Sequence, residues 1–480
     1  MSVEIYIRPL IEADAEISYQ WRNDPEVWKY TGSRPDKEIT LEIEKDWVQK
    51  VLSRPDEKRF AICLRDTDEY IGNVQLTGIN SYEAEFHIFI GEKKYWGKGF
   101  GTKVTNLAVE YAFNVLKLQC VYLFVKKENV AAVRAYEKAG FGKIIEDENG
   151  NLRLAKYSFD DGSHSTVSVF MMAYNHEKFI SQALDGILMQ NTDFAVEVVV
   201  GEDKSTDKTR IILLDYARKH RNKLKLILHS KNVGASKNQV SVLNACNGKY
   251  IAFCEGDDFW TDPDKLQKQV DFLEANPDFA ICFHRVNIIS DDSLQPIILS
   301  NQNQKEISDF DDLARANFIH TASCVFRNCL NIEDLFGFNE IILGDWYLFL
   351  LLAQHGKIKF FEDVMANYRL HQGGLYSAGK EKTRLLGAMQ IAEYGKKYFA
   401  PRGARQFDER LERSYPYLCN LCFQEGSYDD FRKYYKKCLE NKENISTRVF
   451  MNLMISNYIS YVPYLPSAYK FVLKRIKKFI

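Results

Sequence analysis

Short apolar segments alternate with amphipathic segments from Thr166 onward, and this regular order constrains the fold of the 480-residue chain most strongly. Continuous apolar runs are typical of buried strands, whereas apolar residues spaced three and four apart are typical of helices. The predicted strands are residues 167–172, 195–200, 224–228 and 250–254, and the predicted helices are residues 176–190, 207–219 and 236–247. This order predicts parallel strands covered by helices, with any ligand at the carboxyl ends of the strands.

Polar and acidic residues follow three of these predicted strands. The segments are Ala173-Tyr174-Asn175, then Glu202-Asp203 with Ser205-Thr206-Asp207, and finally Glu255-Gly256-Asp257-Asp258. Clustered carboxylates repel one another unless a cation joins them, and Mg²⁺ or Mn²⁺ prefers oxygen ligands. The turn at 255–258 is therefore a candidate metal site, and a solvated acidic loop is the alternative.

A glycine-rich loop marks the first part of the chain, residues 1–158. It follows a predicted strand at 85–90 and precedes an amphipathic helix, and it contains Lys94, Gly97, Lys98, Gly99, Phe100, Gly101 and Thr102. Glycines let several backbone N–H groups approach one anion, and the helix N-terminus adds partial positive charge. The loop is a candidate diphosphate site, and a purely structural turn is the alternative.

Strand 121–125, Asn129 and Tyr136 follow this loop, and the ordered set resembles the GNAT superfamily of N-acetyltransferases, particularly those that acetylate ribosomal proteins. The resemblance covers most of residues 1–158 and implies a mixed α/β fold. It implies that the loop at 94–102 binds the pyrophosphate of acetyl-CoA and that strand 85–90 binds the pantetheine arm. Asn129 would position cofactor or water, and Tyr136 would protonate the departing thiolate. Lys94 stands where the family usually has Arg or Gln.

Acetyl transfer also needs a base, because an ammonium group must lose a proton before it attacks a thioester. Glu85 is the candidate, with Glu83 and His87 as alternatives, since alternation places all three on one face of a strand. A merely solvated role for Glu85 is the other interpretation.

The acidic segments, together with Gly344-Asp345-Trp346, resemble the family 2 glycosyltransferases of GT-A fold over about residues 165–375. The resemblance implies a Rossmann-like α/β domain in which Ala173, Tyr174, Asn175, Asp203 and Asp257 bind a nucleotide-sugar. In it, Asp203 contacts the uracil or other base, Asp257 holds a divalent ion, and Asp345 deprotonates the acceptor hydroxyl. Glu255 replaces a frequent Asp, so its coordination of the metal is left open. His371 is a candidate ligand or phosphate contact, and a packed or solvated histidine is the alternative.

The predicted domains are residues 1–158, a polar linker at 159–165, a second domain at 166–376 and a helical extension at 377–480. Helices are predicted at 383–399, 406–424 and 428–439. The segment 469–480 has five basic residues and no acidic one, and its apolar residues can share a helical face. It is predicted to contact an anionic membrane surface, with a solvated helix or an oligomer contact as alternatives.

The amino-acid composition excludes several classes of protein. The hydrophobic fraction of 46% excludes disorder over most of the chain, and 64 Lys and Arg against 65 Asp and Glu give no global attraction to nucleic acid. The N-terminus has no secretory pattern, no apolar run reaches bilayer length, and ten scattered cysteines suit a reducing compartment. The predicted location is the cytoplasm, with the tail at the inner face of the membrane.

The sequence thus predicts a bifunctional transferase that uses acetyl-CoA and Mg²⁺ or Mn²⁺. Its first domain is expected to acetylate the amino group of a nucleotide-linked amino sugar. Its second is expected to transfer a sugar, with inversion, from a nucleotide-sugar donor to a glycan or lipid-linked acceptor of the cell surface. The alternatives are a protein or peptide N-acetyltransferase joined to an unrelated glycosyltransferase, or one domain that only binds its ligand. The sequence specifies neither the sugar nor the oligomeric state.

Overall fold

A computed structural model describes residues 4–30, 37–147, 149–158, 165–221, 223–290, 293–330, 341–371 and 381–440. The chain forms two compact units, Met1–Leu184 with Asp193–Ile251 and Asp185–Thr192 with Ala252–Ile480. Most of the predicted linker and the whole basic segment 469–480 lie outside the described residues, so the predicted domain boundaries and the membrane contact stay predictions. Within the described residues, no helix is both long and apolar enough to cross a bilayer.

The first unit begins with a seven-stranded sheet in the order β1-β2-β3-β4-β5-β7-β6. Its strands are β1 (Ile5–Pro9), β2 (Lys58–Leu64), β3 (Tyr70–Thr77), β4 (Glu83–Ile90), β5 (Cys120–Lys126), β6 (Gly142–Glu146) and β7 (Asn151–Tyr157). Its helices are α1 (Ala15–Asn23), α2 (Leu41–Leu52), α3 (Phe100–Glu110) and α4 (Val130–Lys138). Among these strands β4 and β5 are parallel, and the other recorded pairs are antiparallel.

Strand β4 separates from β5 partway along its length. It pairs with β5 only at Glu83, Ala84 and Glu85, although its antiparallel pairing with β3 extends from Glu85 to Ile90. Backbone groups of β4 beyond Glu85 therefore have no partner on the β5 side of that ladder. The β4–β5 pairing therefore ends before the segment that leads into the glycine loop.

Side chains of β4 point alternately to the two faces of this sheet. Phe86 of β4 and Val121 of β5 join a core that includes Val104 and Ala108 of α3, and Val133 of α4 packs against it. The intervening residues of β4 are Glu83, Glu85 and His87, which lie on the opposite face as predicted. The polar row therefore faces away from α3 and α4.

The first unit continues with the alternating segments. Its further elements are β8 (Val167–Ala173), α5 (Ile180–Leu188), β9 (Val196–Glu202), α6 (Thr209–Lys219), β10 (Leu224–Leu228), α7 (Ala235–Ala245) and β11 (Tyr250–Phe253), of which α5 and β11 extend into the second unit. Strand β9 lies between β8 and β10 and is parallel to both. The predicted parallel arrangement is therefore confirmed, and the polar segments follow the carboxyl ends of β8 and β9.

The second unit has its own strands and helices. The strands are β12 (Phe259–Trp260), β13 (Phe279–Ser290), β14 (Ser293–Leu299), β15 (Ile307–Ser308), β16 (Val325–Arg327) and β17 (Lys357–Leu370). The helices are α8 (Lys265–Ala275), α9 (Phe310–Arg315), α10 (Gly344–Ala353), α11 (Glu381–Tyr398), α12 (Ala404–Glu425) and α13 (Tyr428–Glu440). The long strand β13 lies between β16 and β17, and β12 pairs with β17. The last three helices confirm the helical region predicted after residue 376.

Candidate active sites

The glycine loop leaves its main chain open to a ligand. Gly97 and Gly99 have φ angles of 73° and 78°, and a Cβ atom added at either position would meet no heavy atom within 4 Å. Gly99 precedes α3 and supplies no side-chain cap to the first amides of that helix. Uncapped N–H groups at a helix start are suited to an anion. The residues present therefore fit the pyrophosphate of acetyl-CoA.

The side chains of the same loop have other partners. The Lys94 ammonium lies 2.5 Å from a Glu69 carboxylate oxygen, and the Lys98 ammonium lies over the Tyr95 ring at 5.1 Å. Phe100 is buried in the core of the sheet. The Thr102 hydroxyl donates to the carbonyl of Ala135 in α4 at 3.3 Å. An anion bound by this loop would therefore contact mainly its backbone groups and not its side chains.

Two further residues predicted for this site lie at the start of α4 and within it. The Asn129 Oδ1 atom accepts the Ala132 N–H at 3.3 Å and caps the helix. Tyr136 packs edge-on against Phe86, with ring centroids 6.0 Å apart. Among the described residues, none forms a hydrogen bond with the Tyr136 hydroxyl, and burial raises its pKa to about 12. Tyr136 is thus a protonated, unpartnered donor at neutral pH.

The candidate bases lie on the polar face of β4. The Glu85 carboxylate is 3.5 Å from His87 Nε2, which also lies 3.0 Å from the Thr77 hydroxyl. Burial lowers the pKa of His87, with the Glu85 charge opposing the shift. Glu83 is buried near Arg153 at 3.7 Å, and burial raises the Glu83 pKa to about 7. Glu85 and His87 form a partly exposed pair, whereas Glu83 is sequestered.

Asp203 shapes the candidate donor site in the first unit. Its two carboxylate oxygens accept the N–H groups of Val233 and Gly234 at 2.6 and 2.9 Å. Burial raises the pKa of Asp203, and these two hydrogen bonds oppose the shift. The loop after β10 is therefore bound to the end of β9 through this carboxylate.

The loops after β8 and β9 are also joined to each other. Asn175, at a φ of 57°, accepts the Thr206 N–H on its side-chain oxygen at 2.8 Å. The His176 N–H donates to the Thr209 hydroxyl at 2.8 Å, and the Glu177 N–H donates to Asp207 at 3.0 Å. Ala173 is buried, whereas Tyr174 is exposed. These bonds bring together Asn175 and the segment after Asp203, as the predicted site requires.

The sequence did not predict the residues that hold the end of β9 next to Asp203. Glu202 is fully buried, and one of its oxygens accepts the Ser205 N–H at 2.6 Å. Its other oxygen is bound by the Arg210 guanidinium, which also donates to the His229 carbonyl at 2.5 Å. Burial lowers the pKa of His229 to about 4, so its ring is neutral. The acidic pair at 202–203 was the only local signal of this support.

The second unit contains the predicted metal ligands Asp257 and His371. His371 Nε2 lies 2.8 Å from an Asp257 carboxylate oxygen. Burial raises the pKa of Asp258 well above its usual value, and the charges of Asp257 and Glu255 add to the shift. Carboxylates that repel in this way, next to an imidazole, fit Mg²⁺ or Mn²⁺ as a donor set.

Arg369 fixes this carboxylate turn and was missed as a functional candidate. Its N–H donates to Asp258 Oδ1 at 2.8 Å, and its Nε donates to the Asp257 carbonyl at 3.0 Å. The sequence indicated only the nearby His371 as a candidate. Arg369 therefore orients the turn by two bonds from β17.

Asp345, the candidate glycosyl-transfer base, lies in the first turn of α10. Asn317 Nδ2 lies 3.4 Å from its carboxylate. Burial raises the pKa of Asp345 above the usual aspartate value, and hydrogen bonds from backbone N–H groups and Asn317 oppose the shift. The rest of α10, from Trp346 to Ala353, is buried, which anchors this carboxylate on a rigid element.

Comparison with known families identifies the part of the chain that contains the glycine loop. A model of the acetyltransferase (GNAT) domain matches residues 4–142. The spermidine N(1)-acetyltransferase of Escherichia coli K12 is 36% identical over 159 residues, which cover 32% of this chain and 82% of that relative. The chain belongs to the GNAT acetyltransferases in its N-terminal part. The predicted resemblance is therefore confirmed for the GNAT domain.

The part of the chain that contains Asp203, Glu255 and Asp257 matches another family. A model of glycosyl transferase family 2 matches residues 168–336, so the GNAT domain is followed by a family 2 glycosyltransferase domain. An uncharacterized protein of Mycobacterium tuberculosis H37Rv is 38% identical over 210 residues, or 44% of this chain. The match spans 60% of the length of that relative. The predicted combination of two transferase families in one chain is confirmed.

Solved structures similar to the chain include a spermidine N-acetyltransferase from Vibrio cholerae in complex with CoA and spermine. It is 27% identical, covers 32% of this chain and 95% of its own length, and has a TM-score of 0.29. An aminoglycoside acetyltransferase structure in complex with coenzyme A is 23% identical, covers 32% of this chain and 95% of its own length, and has a TM-score of 0.28.

Proposed function

We propose that this protein acetylates the amino group of a nucleotide-linked amino sugar and transfers that sugar, or a related one, to a cell-surface glycan or lipid-linked acceptor. The observation that carries the proposal is the presence of a GNAT domain and a family 2 glycosyltransferase domain in one chain. Two active sites on one polypeptide raise the local concentration of a shared intermediate.

In the GNAT domain, acetyl-CoA supplies the activated acetyl group. Uncapped amides at Gly99 and the start of α3 support binding of its pyrophosphate. Glu85 accepts the proton of the attacking amine, directly or through water, with His87 as its close neighbour at 3.5 Å. Tyr136 donates its hydroxyl proton to the leaving sulfur, a role supported by its burial and its lack of a described hydrogen-bond partner. The two groups thus move one proton each.

In the glycosyltransferase domain, Asp203 and the loop it holds bind the nucleoside of the donor. Asp257 and His371 would hold Mg²⁺ or Mn²⁺, which would supply neutralising charge to the departing diphosphate. Glu255 adds negative charge to the same turn. Asp345 accepts the proton of the acceptor hydroxyl during a single displacement that inverts the anomeric centre. One base is sufficient for such a step, whereas a retaining hydrolase needs a carboxylate pair.

A polyamine is the second candidate acceptor of the acetyl group. The Escherichia coli relative named a spermidine N(1)-acetyltransferase, at 36% identity, favours it. In that case the two activities share a chain without sharing an intermediate.

An amine panel distinguishes the two acceptors. With nucleotide-linked amino sugars as acceptors, we expect CoA thiol to be released from acetyl-CoA at least about tenfold faster than with spermidine or an N-terminal peptide. A tenfold difference in rate corresponds to about 1.4 kcal/mol in activation free energy. Thiol release is followed by a colour reagent. Faster acetylation of spermidine would replace the amino-sugar proposal with the polyamine one.

Site-disabled variants test the link between the two reactions. In Y136F, acetylation is slowed, so glycan formation from the unacetylated donor should decrease. Addition of a donor that is already acetylated should restore glycan formation. Product formation is followed by mass spectrometry. Glycan formation that does not depend on acetylation would separate the two activities.

Replacing Asp257 by Ala is expected to weaken metal-dependent binding of the nucleotide-sugar by at least about tenfold, because even the loss of a group that only supports a metal ligand typically costs about 10- to 100-fold in affinity. The measurement is calorimetric titration of nucleoside diphosphates with and without Mn²⁺. Asp271→Ala removes an exposed carboxylate of α8 in the same unit and serves as the matched control. Equal metal dependence in D257A and the control would exclude Asp257 as a ligand.

A further inference from the structure

Strand β10 ends its sheet and has one unpaired side. Lys223 and His229 form backbone hydrogen bonds with β9, through the Lys223 carbonyl and the His229 N–H. Backbone groups of a strand point alternately to its two sides, so those of Leu224 and Leu226 point away from β9. Unpaired and buried backbone groups are costly, and natural proteins cover or blunt such an edge.

Two tyrosines of the GNAT domain fill this edge. The Tyr82 hydroxyl accepts the Leu226 N–H at 2.7 Å and lies within donor distance of the Leu224 carbonyl at 3.5 Å. The Tyr157 hydroxyl donates to the Leu226 carbonyl at 3.4 Å. Both tyrosines are buried, at 1% and 4% exposure. Their hydroxyls therefore take the place of a neighbouring strand.

Contacts on either side of the tyrosines extend this interface. The Asn244 side chain in α7 donates to the Ile144 carbonyl in β6 at 3.0 Å. The Arg221 guanidinium donates to the Lys117 carbonyl at 2.9 Å. Lys225 of β10 is buried, pairs with Glu197 at 2.8 Å, and lies over the Tyr157 ring at 5.5 Å. Asn244 and Arg221 thus add directed hydrogen bonds to backbone carbonyls beside the two tyrosines.

The supported strand leads directly into the candidate donor site. The chain continues from Leu228 to His229, whose N–H donates to the Glu202 carbonyl at 3.1 Å. Four and five residues later, Val233 and Gly234 donate their N–H groups to the Asp203 carboxylate. A shift of β10 along or away from β9 would therefore move the donors that orient Asp203.

We propose that Tyr82 and Tyr157 of the GNAT domain are positioning residues for the nucleotide site of the glycosyltransferase domain. They act through β10 and the loop at 229–234, which hold Asp203. The inference rests on the proposed function only in taking Asp203 as a nucleotide contact. It assigns the GNAT domain a structural role in glycosyl transfer that is separate from acetylation.

Hydrogen exchange of the full chain, without ligand, tests the structural part. In Y82F, the amides of Leu226, Val233 and Gly234 should exchange about 5- to 100-fold faster, because a buried donor loses its acceptor. Y157F should also increase the exchange rates of the Val233 and Gly234 amides. Y70F is the matched control, since Tyr70 is a buried tyrosine of the same domain whose hydroxyl bonds Asn73 at 2.7 Å. Unchanged exchange at Val233 and Gly234 in both single variants would overturn the proposal.

Titration with nucleoside diphosphates and Mg²⁺ tests the functional part. In Y82F and Y157F the dissociation constant should rise at least about fivefold relative to Y70F, while that for acetyl-CoA changes less than about twofold. Equal nucleotide affinity in all three variants would contradict the positioning role. If the unmodified chain binds no nucleoside diphosphate, the proposed donor site fails, and hydrogen exchange still decides whether the tyrosines hold the loop.

Discussion

Replacing Asp345 by Asn is expected to lower glycosyl transfer by about 10²- to 10⁴-fold, the usual contribution of a positioned general base. The asparagine keeps the size of the side chain and its contact with Asn317, so the donor should bind with less than about a twofold change. Only the ability to accept the proton of the acceptor hydroxyl is lost. Initial rates of sugar transfer and titration of the nucleotide donor measure the two effects separately.

The pH dependence of the unmodified enzyme gives a second readout for Asp345. Burial raises the pKa of this carboxyl, and only its deprotonated form accepts a proton. The rate should therefore fall as the pH drops through the raised pKa, and this fall should occur at a higher pH than for an exposed aspartate near about 3.9. This decrease in rate at low pH should be absent from the residual activity of D345N.

Asp278→Asn is the matched control for D345N. Asp278 lies in the same unit, is exposed, and pairs with Lys357 at 2.9 Å on the surface. The change removes the same charge without touching the candidate site, so transfer should be unaffected. Full activity in D345N would place the base elsewhere, whereas equal losses in both variants would indicate a general effect of charge.

Local pattern predicted the elements around the glycosyltransferase carboxylates to within a few residues. Helix α5 is the largest departure, since the spacing predicts a start at 176 and the helix begins at Ile180. The segment just before this start is bonded to the loop after β9. The N–H groups of His176 and Glu177 donate to Thr209 and Asp207, about thirty residues away. Periodicity carries no information about such distant acceptors.

Long-range hydrogen bonds that the sequence did not predict also orient Asp203. Its position after a buried strand indicated a ligand contact, but the sequence did not reveal that Val233 and Gly234 bind its carboxylate. Tyr82 is a clearer case, because its partner Leu226 is 144 residues away. Candidate catalytic and binding residues at strand ends could be predicted from the sequence. The long-range bonds that orient them could not, since no local pattern encodes them.

Replacing Tyr136 by Phe is expected to slow acetyl transfer by about 10²-fold or more, because the leaving thiolate loses its proton donor. Acetyl-CoA binding should change less than about twofold, since the ring still packs against Phe86 and the glycine loop is untouched. The raised pKa of about 12 keeps the hydroxyl protonated, so the unmodified enzyme should show no loss of this donor below about pH 10. Thiol release and titration of acetyl-CoA measure rate and binding.

Tyr111→Phe is the control for this change, because Tyr111 packs against the same apolar core and its ring contacts Phe60. If loss of any tyrosine hydroxyl there slowed the reaction through packing, Y111F would slow it too. Slow transfer in Y136F with normal transfer in Y111F therefore assigns proton donation to one hydroxyl. Normal turnover in Y136F would leave the departing sulfur to be protonated by water or by another residue near β4.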